Sequence, residues 1–290
     1  MEYPFWVNDF DRVKDHKINY PAVSKIFEHP MSFWYGERNG KGSCGTVHKS
    51  INRLLKRSLP HLPIFVIYNM PGRDMGHYSK GGAQSRDNYM EFLESMCQAI
   101  GSNEIIVIYE PDAIPHSTLM EPKEAEWRLN LMRDGLSYIT NTTNAKVYVD
   151  VGHSNWLEPE VAGKLFNKVT NDKVRGFCTN VSNFRSTKES MKWALRVSEY
   201  ASNKHFVIDT SRNGNGPYGN DWCNPPGRAL GNPPTTDTGE ELCDAFLWIK
   251  VPGESDGRAN GGPRAGKFWP EYASDLVKNT EWCNSNEKNS

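Results

Sequence analysis

The stretch EIIVIYEPDA, residues 104–113, carries an unbroken apolar run of β-type residues, Ile105 to Tyr109, and then stops at Glu110-Pro111-Asp112. A short apolar run bounded by Pro and rich in β-branched residues predicts a strand buried on both faces, as in a parallel sheet covered by helices. The same passage from strand to carboxylate occurs in PIFVIYNMPGRD (63–74), ending at Asp74, and in AFLWIKVPGESDG (245–257), ending near Asp256. Strands that end in carboxylates at three separated places predict a barrel whose strand ends converge on one cleft. Converging carboxylates suit acid–base cleavage of a glycosidic bond, where one must donate a proton while another stays ionised.

Outward from these segments the pattern repeats. Further strand-like runs fall at 146–150, 174–178 and 205–209, and amphipathic helices are predicted at 87–100, 123–140, 158–169 and 187–203. In 123–140, Trp127, Leu131 and Leu136 are expected near one face, and Ser186 or Thr187 is expected to cap the helix that follows. FWVN (5–8) offers a further strand or an edge. Six or seven strand–helix units in 290 residues, with no composition shift and no internal repeat, predict one α/β domain over 1–290. The Gly-, Pro- and Asn-rich stretch 211–240 predicts a long loop on the cleft side, and NSNEKNS (284–290) a disordered tail.

The formal charge of −1, from 34 basic and 35 acidic residues, argues against a nucleic-acid or acidic-lipid partner. No apolar run approaches the roughly 18 residues a membrane helix needs. The N-terminus lacks the basic start and apolar stretch of a signal peptide. It reads as a protein kept inside the cell or as a mature form begun with an added Met; the site chemistry favours the second. The cysteines Cys44, Cys97, Cys178, Cys223, Cys243 and Cys283 are spaced too widely for a zinc site, and Cys178 and Cys243 lie in strand-like runs, where buried free thiols are expected.

Each candidate site residue has an ordinary alternative. Asp112 is placed for proton donation or for capping the next helix; Glu110 is its neighbour or a structural partner. Arg73 beside Asp74 would hold that carboxylate ionised, or form a surface ion pair of little consequence. GHYSKGGAQS (76–85) reads as a flap. Asp256 could accept a proton from water while Lys250 and Glu254 position sugar hydroxyls, or all three belong to a solvated turn. His153, with Asp150 and Trp156 nearby, suits hydrogen bonding to sugar better than zinc, since no second His is close. Mg²⁺-assisted phosphoryl transfer is a distinct alternative without a GxxxxGK[ST] loop to support it.

Taken together, YNMPGRD, SKGGA, VIYEPDA, YVDVGHSNW, TNVSNFR, VIDTSRNGNGPYGNDWCNPPGRALG and DAFLWIKVPGESDG resemble glycoside hydrolase family 6, from about residue 4 to about 272. The resemblance implies a distorted, TIM-like parallel β/α barrel of about seven strands that cleaves β-1,4-glucan with inversion, as a secreted monomer without metal or organic cofactor. It places the proton donor on Asp112, the assisting carboxylate on Asp74, and the carboxylate sometimes named as base on Asp256. Tyr68 falls on the tyrosine that crowds the distorted sugar and Ser79 on the flap serine. Glucose-binding positions fall on Trp34, Asp150, His153, Trp156, Asn180, Asn183, Trp222, Lys250 and Glu254. Two family disulfides are interrupted, by Met75 with Met120 and by Arg258 opposite Cys223. Short segments after Asp112 and at 255–273 imply an open groove and endo attack; an exo-acting cellobiohydrolase and a non-catalytic glucan-binding barrel are the other readings. An inverting site implies carboxyl groups about 6.5–9.5 Å apart. NTT (141–143) is a possible glycosylation acceptor.

Overall fold

A computed structural model describes residues 4–8, 19–36 and 44–284. Seven parallel strands lie in strict sequence order: β1 (Phe33–Tyr35), β2 (Ile64–Ile67), β3 (Ile106–Tyr109), β4 (Lys146–Asp150), β5 (Gly176–Thr179), β6 (His205–Asp209) and β7 (Cys243–Leu247). The helices that return the chain are α1 (Cys44–Ser58), α2 (Arg86–Ile100), α3 (Ala113–Ser117), α4 (Pro122–Thr142), α5 (Pro159–Val169), α6 (Thr187–Tyr200) and α7 (Pro270–Lys278). This is the expected single distorted β/α barrel.

Alternation along each strand makes two cores. Ile64, Val66, Ile106, Ile108, Tyr148, Cys178, Val207, Ala245 and Leu247 fill the barrel interior. Their neighbours, including Phe65, Val107, Val149, Phe177 and Phe206, pack outward against the helices. The seam between β7 and β1 carries no ladder. It is crossed where Ser32 N–H donates to the Trp248 carbonyl (3.2 Å) and where the Ser32 hydroxyl and the Trp34 indole donate to the Ile249 carbonyl.

Helix starts follow local chemistry. Ser85 and Ser186 accept from Asn88 N and Glu189 N, each at 3.2 Å, capping α2 and α6. Several expectations change. FWVN forms one bridge, Phe5 with Leu62, outside the sheet, and the first strand lies in SFWYG instead. In α4 Leu131 and Leu136 are buried but Trp127 is exposed: positions 127 and 136 are nine steps apart, about two and a half turns, so Trp127 and Leu136 lie on opposite faces. The last strand stops at Leu247, since Ile249 and Lys250 give their N–H groups to the Asp209 carboxylate rather than to a strand. The NSNEKNS tail lies essentially outside the described residues. Cys97, Cys178, Cys223, Cys243 and Cys283 are free and buried. No helix among the described residues is long and apolar enough to cross a membrane.

Candidate active site

The carboxyl ends of the strands open into one trough of about 1090 Å³. Tyr68, Asp74, Ser79, Asp112, His153, Trp156, Asn183, Trp222, Lys250, Glu254, Asp256 and Trp34 all line it. The backbone is strained there. Asp74, Met75, Asp112 and Ser182 hold positive φ in the loops after β2, β3 and β5, a conformation kept only where the surroundings over-determine it.

Asp112 takes the position before α3 with left-handed φ of 69°, yet its side chain makes no capping bond. The helix-cap alternative is therefore excluded, and the carboxyl is turned toward the trough. Tyr68 donates its hydroxyl to Asp112 at 3.5 Å, and the Asp112 N–H donates to Asp150 at 2.7 Å. Burial, then the charges of Asp150 and Asp74, hold Asp112 well above the ordinary carboxylate range. That is the state a general acid needs near neutral pH.

Asp74 faces the same trough. Burial raises it, against the Ser79 N–H that donates to it at 2.5 Å and the lesser pull of His77 and Arg73. The expected Arg73 pairing does not dominate. The guanidinium donates to the carbonyls of Ser79 (2.9 Å) and Tyr68 and lies over the Tyr68 ring at 4.7 Å. Arg73 thus shapes the loop more than it fixes the charge.

A scan against family models matches residues 7–280 to the glycosyl hydrolases family 6. The chain belongs to this family. It is 40% identical over 261 residues to Endoglucanase A of Cellulomonas fimi, covering 90% of this chain and 56% of that protein. It is 37% identical over 269 residues to Endoglucanase 1 of Streptomyces sp. (strain KSM-9), covering 91% and 73%. Among solved structures, the endoglucanase Cel6 from Mycobacterium tuberculosis, in complex with methyl-cellobiosyl-4-deoxy-4-thio-β-D-cellobioside, superposes with a TM-score of 0.88 at 36% identity, covering 96% of this chain and 97% of that one. The chain therefore spans little more than half the length of the first of these curated relatives.

Within this family 6 trough the third carboxylate does not fit the role of proton acceptor from water. Asp256 is clamped by Arg212 at 2.8 Å and Lys250 at 3.3 Å, and it also accepts from Asn224 N at 3.1 Å. Burial alone would raise it, but the two cations outweigh burial and lower it. A carboxylate so stabilised is a weak base.

Two predicted glucose contacts lie beneath the trough wall. Asp150 and Asn180 are buried and continue by one step the inward alternation of Tyr148 and Cys178. Asp150 is occupied by Asp112 N. Asn180 donates to the carbonyls of Arg185 (3.1 Å) and Asp209 (2.8 Å) and accepts from Arg185 N (3.0 Å). Asp150 supports the donor rather than touching sugar, and Asn180 shapes the loop after β5. Asp209, the next residue of that inner ring, was not singled out from sequence. It accepts from the N–H groups of Ser182, Ser211, Ile249 and Lys250 at 2.9–3.3 Å, joining three loops; the alternation of HFVID was its signal. Glu110 resolves as the structural partner, accepting from Asn69 N and Met70 N.

At the flanks, Trp156 lies between His116 and His153, with ring centroids at 5.1 and 5.6 Å. Burial lowers both histidines to about 4, so each presents a neutral imidazole at neutral pH. Trp34 meets the Tyr68 ring edge-on at 5.4 Å. The 211–240 loop supplies Pro217, Asn220, Asp221 and Trp222 to the trough. Among the described residues no group of three or more His, Cys, Asp or Glu could hold a metal ion.

Proposed function

We propose that this protein is an inverting endo-β-1,4-glucanase, secreted, acting on internal bonds of cellulose and related β-glucans. The observation that carries the reading is Asp112: a carboxyl held well above the ordinary carboxylate range by burial and by neighbouring carboxylates, and lining a trough flanked by Trp34, Trp156 and Trp222. Indole faces suit the apolar faces of glucose rings. The named activities of the endoglucanase relatives support the substrate class.

Asp112 donates its proton to the leaving oxygen as the sugar beside Tyr68 flattens toward an oxocarbenium ion. Water attacks from the opposite face, held near Asp74 and Ser79. Proton acceptance falls to Asp74, because its carboxylate is raised whereas Asp256 is lowered. Lys250, Glu254 and Asn183 are left to bind hydroxyls along the trough. The short path from Asp112 to α4, which starts at Pro122, supports endo attack, since it leaves little chain to roof the trough.

A polymeric substrate is met outside the cell. Free thiols are compatible with that setting, since burial pushes Cys97, Cys223 and Cys283 up to about 11 and Cys243 to about 12, which keeps them as unreactive thiols.

The test is Asp112→Ala on carboxymethylcellulose. Hydrolysis should vanish while glucan still binds; retained hydrolysis would remove Asp112 as donor. Viscosity falling much faster than reducing ends appear supports endo attack, and the reverse supports a cellobiohydrolase.

A further inference from the structure

Tyr78 lies one residue before Ser79 in the loop that carries Asp74, and its side chain reaches the opposite side of the trough. Its ring lies 6.0 Å from that of Trp222, tilted by 52°. It also rests on Gly257: a Cβ added there would lie 2.3 Å from Tyr78 Cγ and 2.8 Å from Tyr78 Cβ. Gly257 follows Asp256 directly, and its carbonyl is fixed by Asn224 Nδ2 at 2.7 Å. The loop end that meets Tyr78 is therefore anchored on a buried framework, while Tyr78 itself is half exposed.

The other hydrogen bonds of the flap lie at its base, on the near side of the trough. His77 N–H and Lys80 N–H donate within the loop, to the carbonyls of Asp74 and His77. Arg73 holds the Ser79 carbonyl, and a single bridge joins Arg73 to Gly81. These bonds, with the Arg73 contacts to Tyr68, tie the loop to itself and to the end of β2. Tyr78 ties it to the far wall.

We propose that Tyr78 is a positioning residue that docks the 74–81 loop across the trough onto Gly257 and Trp222, and so holds the Ser79 N–H on Asp74. It acts through Ser79 and Asp74 and not on the substrate. The contact is made by the ring, so the hydroxyl is dispensable. Gly257 is required because any side chain there displaces the ring. The inference rests on the glucanase reading for its kinetic consequence, but the docking itself can be read without substrate.

The experiment compares Tyr78→Ala, Tyr78→Phe and Gly257→Ala with the wild-type protein. Backbone hydrogen exchange at Ser79 is measured without ligand, and kcat and KM are measured on cellopentaose. In Tyr78→Ala and Gly257→Ala, exchange at Ser79 should quicken and kcat fall, each by about tenfold, the scale of one lost aromatic contact, with KM within about twofold. Tyr78→Phe should restore both. Unchanged exchange in Tyr78→Ala, or faster exchange with unchanged kcat, overturns the proposal. A kcat loss without faster exchange does so too, as does a loss confined to KM, since Tyr78 would then be touching sugar. Wild-type protein inactive on every β-1,4-glucan would sink the functional reading and leave the exchange result to decide the docking.

Discussion

Replacing Asp256 by Asn separates a structural carboxylate from a catalytic base. The side chain of Arg212 is fully buried and that of Asp256 nearly so, with Nη1 and Oδ2 2.8 Å apart and Lys250 Nζ 3.3 Å from Oδ1. Removing one partner of such a pair leaves an uncompensated buried charge, at a cost of about 3–5 kcal/mol. With an unfolding entropy of about 2.1 cal/mol/K per residue, that loss lowers the melting midpoint of this chain by roughly 5–8 °C. Calorimetry of the variant at pH 7 reads the shift directly. Replacing Arg212 by Met in the same chain should return most of it, because the stranded charge is then gone. Addition of azide, a small nucleophile that substitutes for a missing base at an inverting site, should not revive turnover. A melting midpoint within a degree of wild type, together with azide rescue, would refute the reasoning and make Asp256 the base.

Other consequences follow from the same geometry. Asp150→Asn removes a charge that raises Asp112, so the alkaline limb of the kcat profile should move to lower pH; a limb that stays in place contradicts the coupling. Burial raises Glu110 to about 7, so the folded state binds more protons than the unfolded chain between about 4.5 and 7. Stability should therefore fall as pH rises through that window, by up to about 3 kcal/mol, and Glu110→Gln should remove this dependence in denaturant titrations at pH 4.5 and 8. Gly176→Ala places a Cβ 1.7 Å from the His205 carbonyl, forcing β5 and β6 apart, and should cost at least about 2 kcal/mol in the same titrations.

Most of the barrel was legible because its strands are continuous apolar runs that end in Pro, Gly and acid. β1 was not, because three residues carry little pattern and its place at the seam is set by Trp248 and Ile249, more than 200 positions away. Helix α1 could have been found from Val47, Ile51, Leu54 and Leu55, which share one face. The motifs located the carboxylates but not their charge states. Nothing local to PGRD reveals that Arg73 turns to main-chain carbonyls, and nothing in GESDG reveals Arg212, which comes from the loop after β6. Asp150 and Asn180 are placed as sugar contacts by the family resemblance, not by their own surroundings. Extending the inward alternation by one step places them under the wall instead.

The central claim is a direct displacement in which Asp112 gives a proton on one side of the bond and water, relieved of its proton toward Asp74, arrives on the other. Proton NMR of cellopentaose during the first minutes of hydrolysis reads it out. The α-anomer should appear first at the new reducing end and the β-anomer only later, by mutarotation. A β-anomer formed first would contradict the account, whatever the fate of any single side chain.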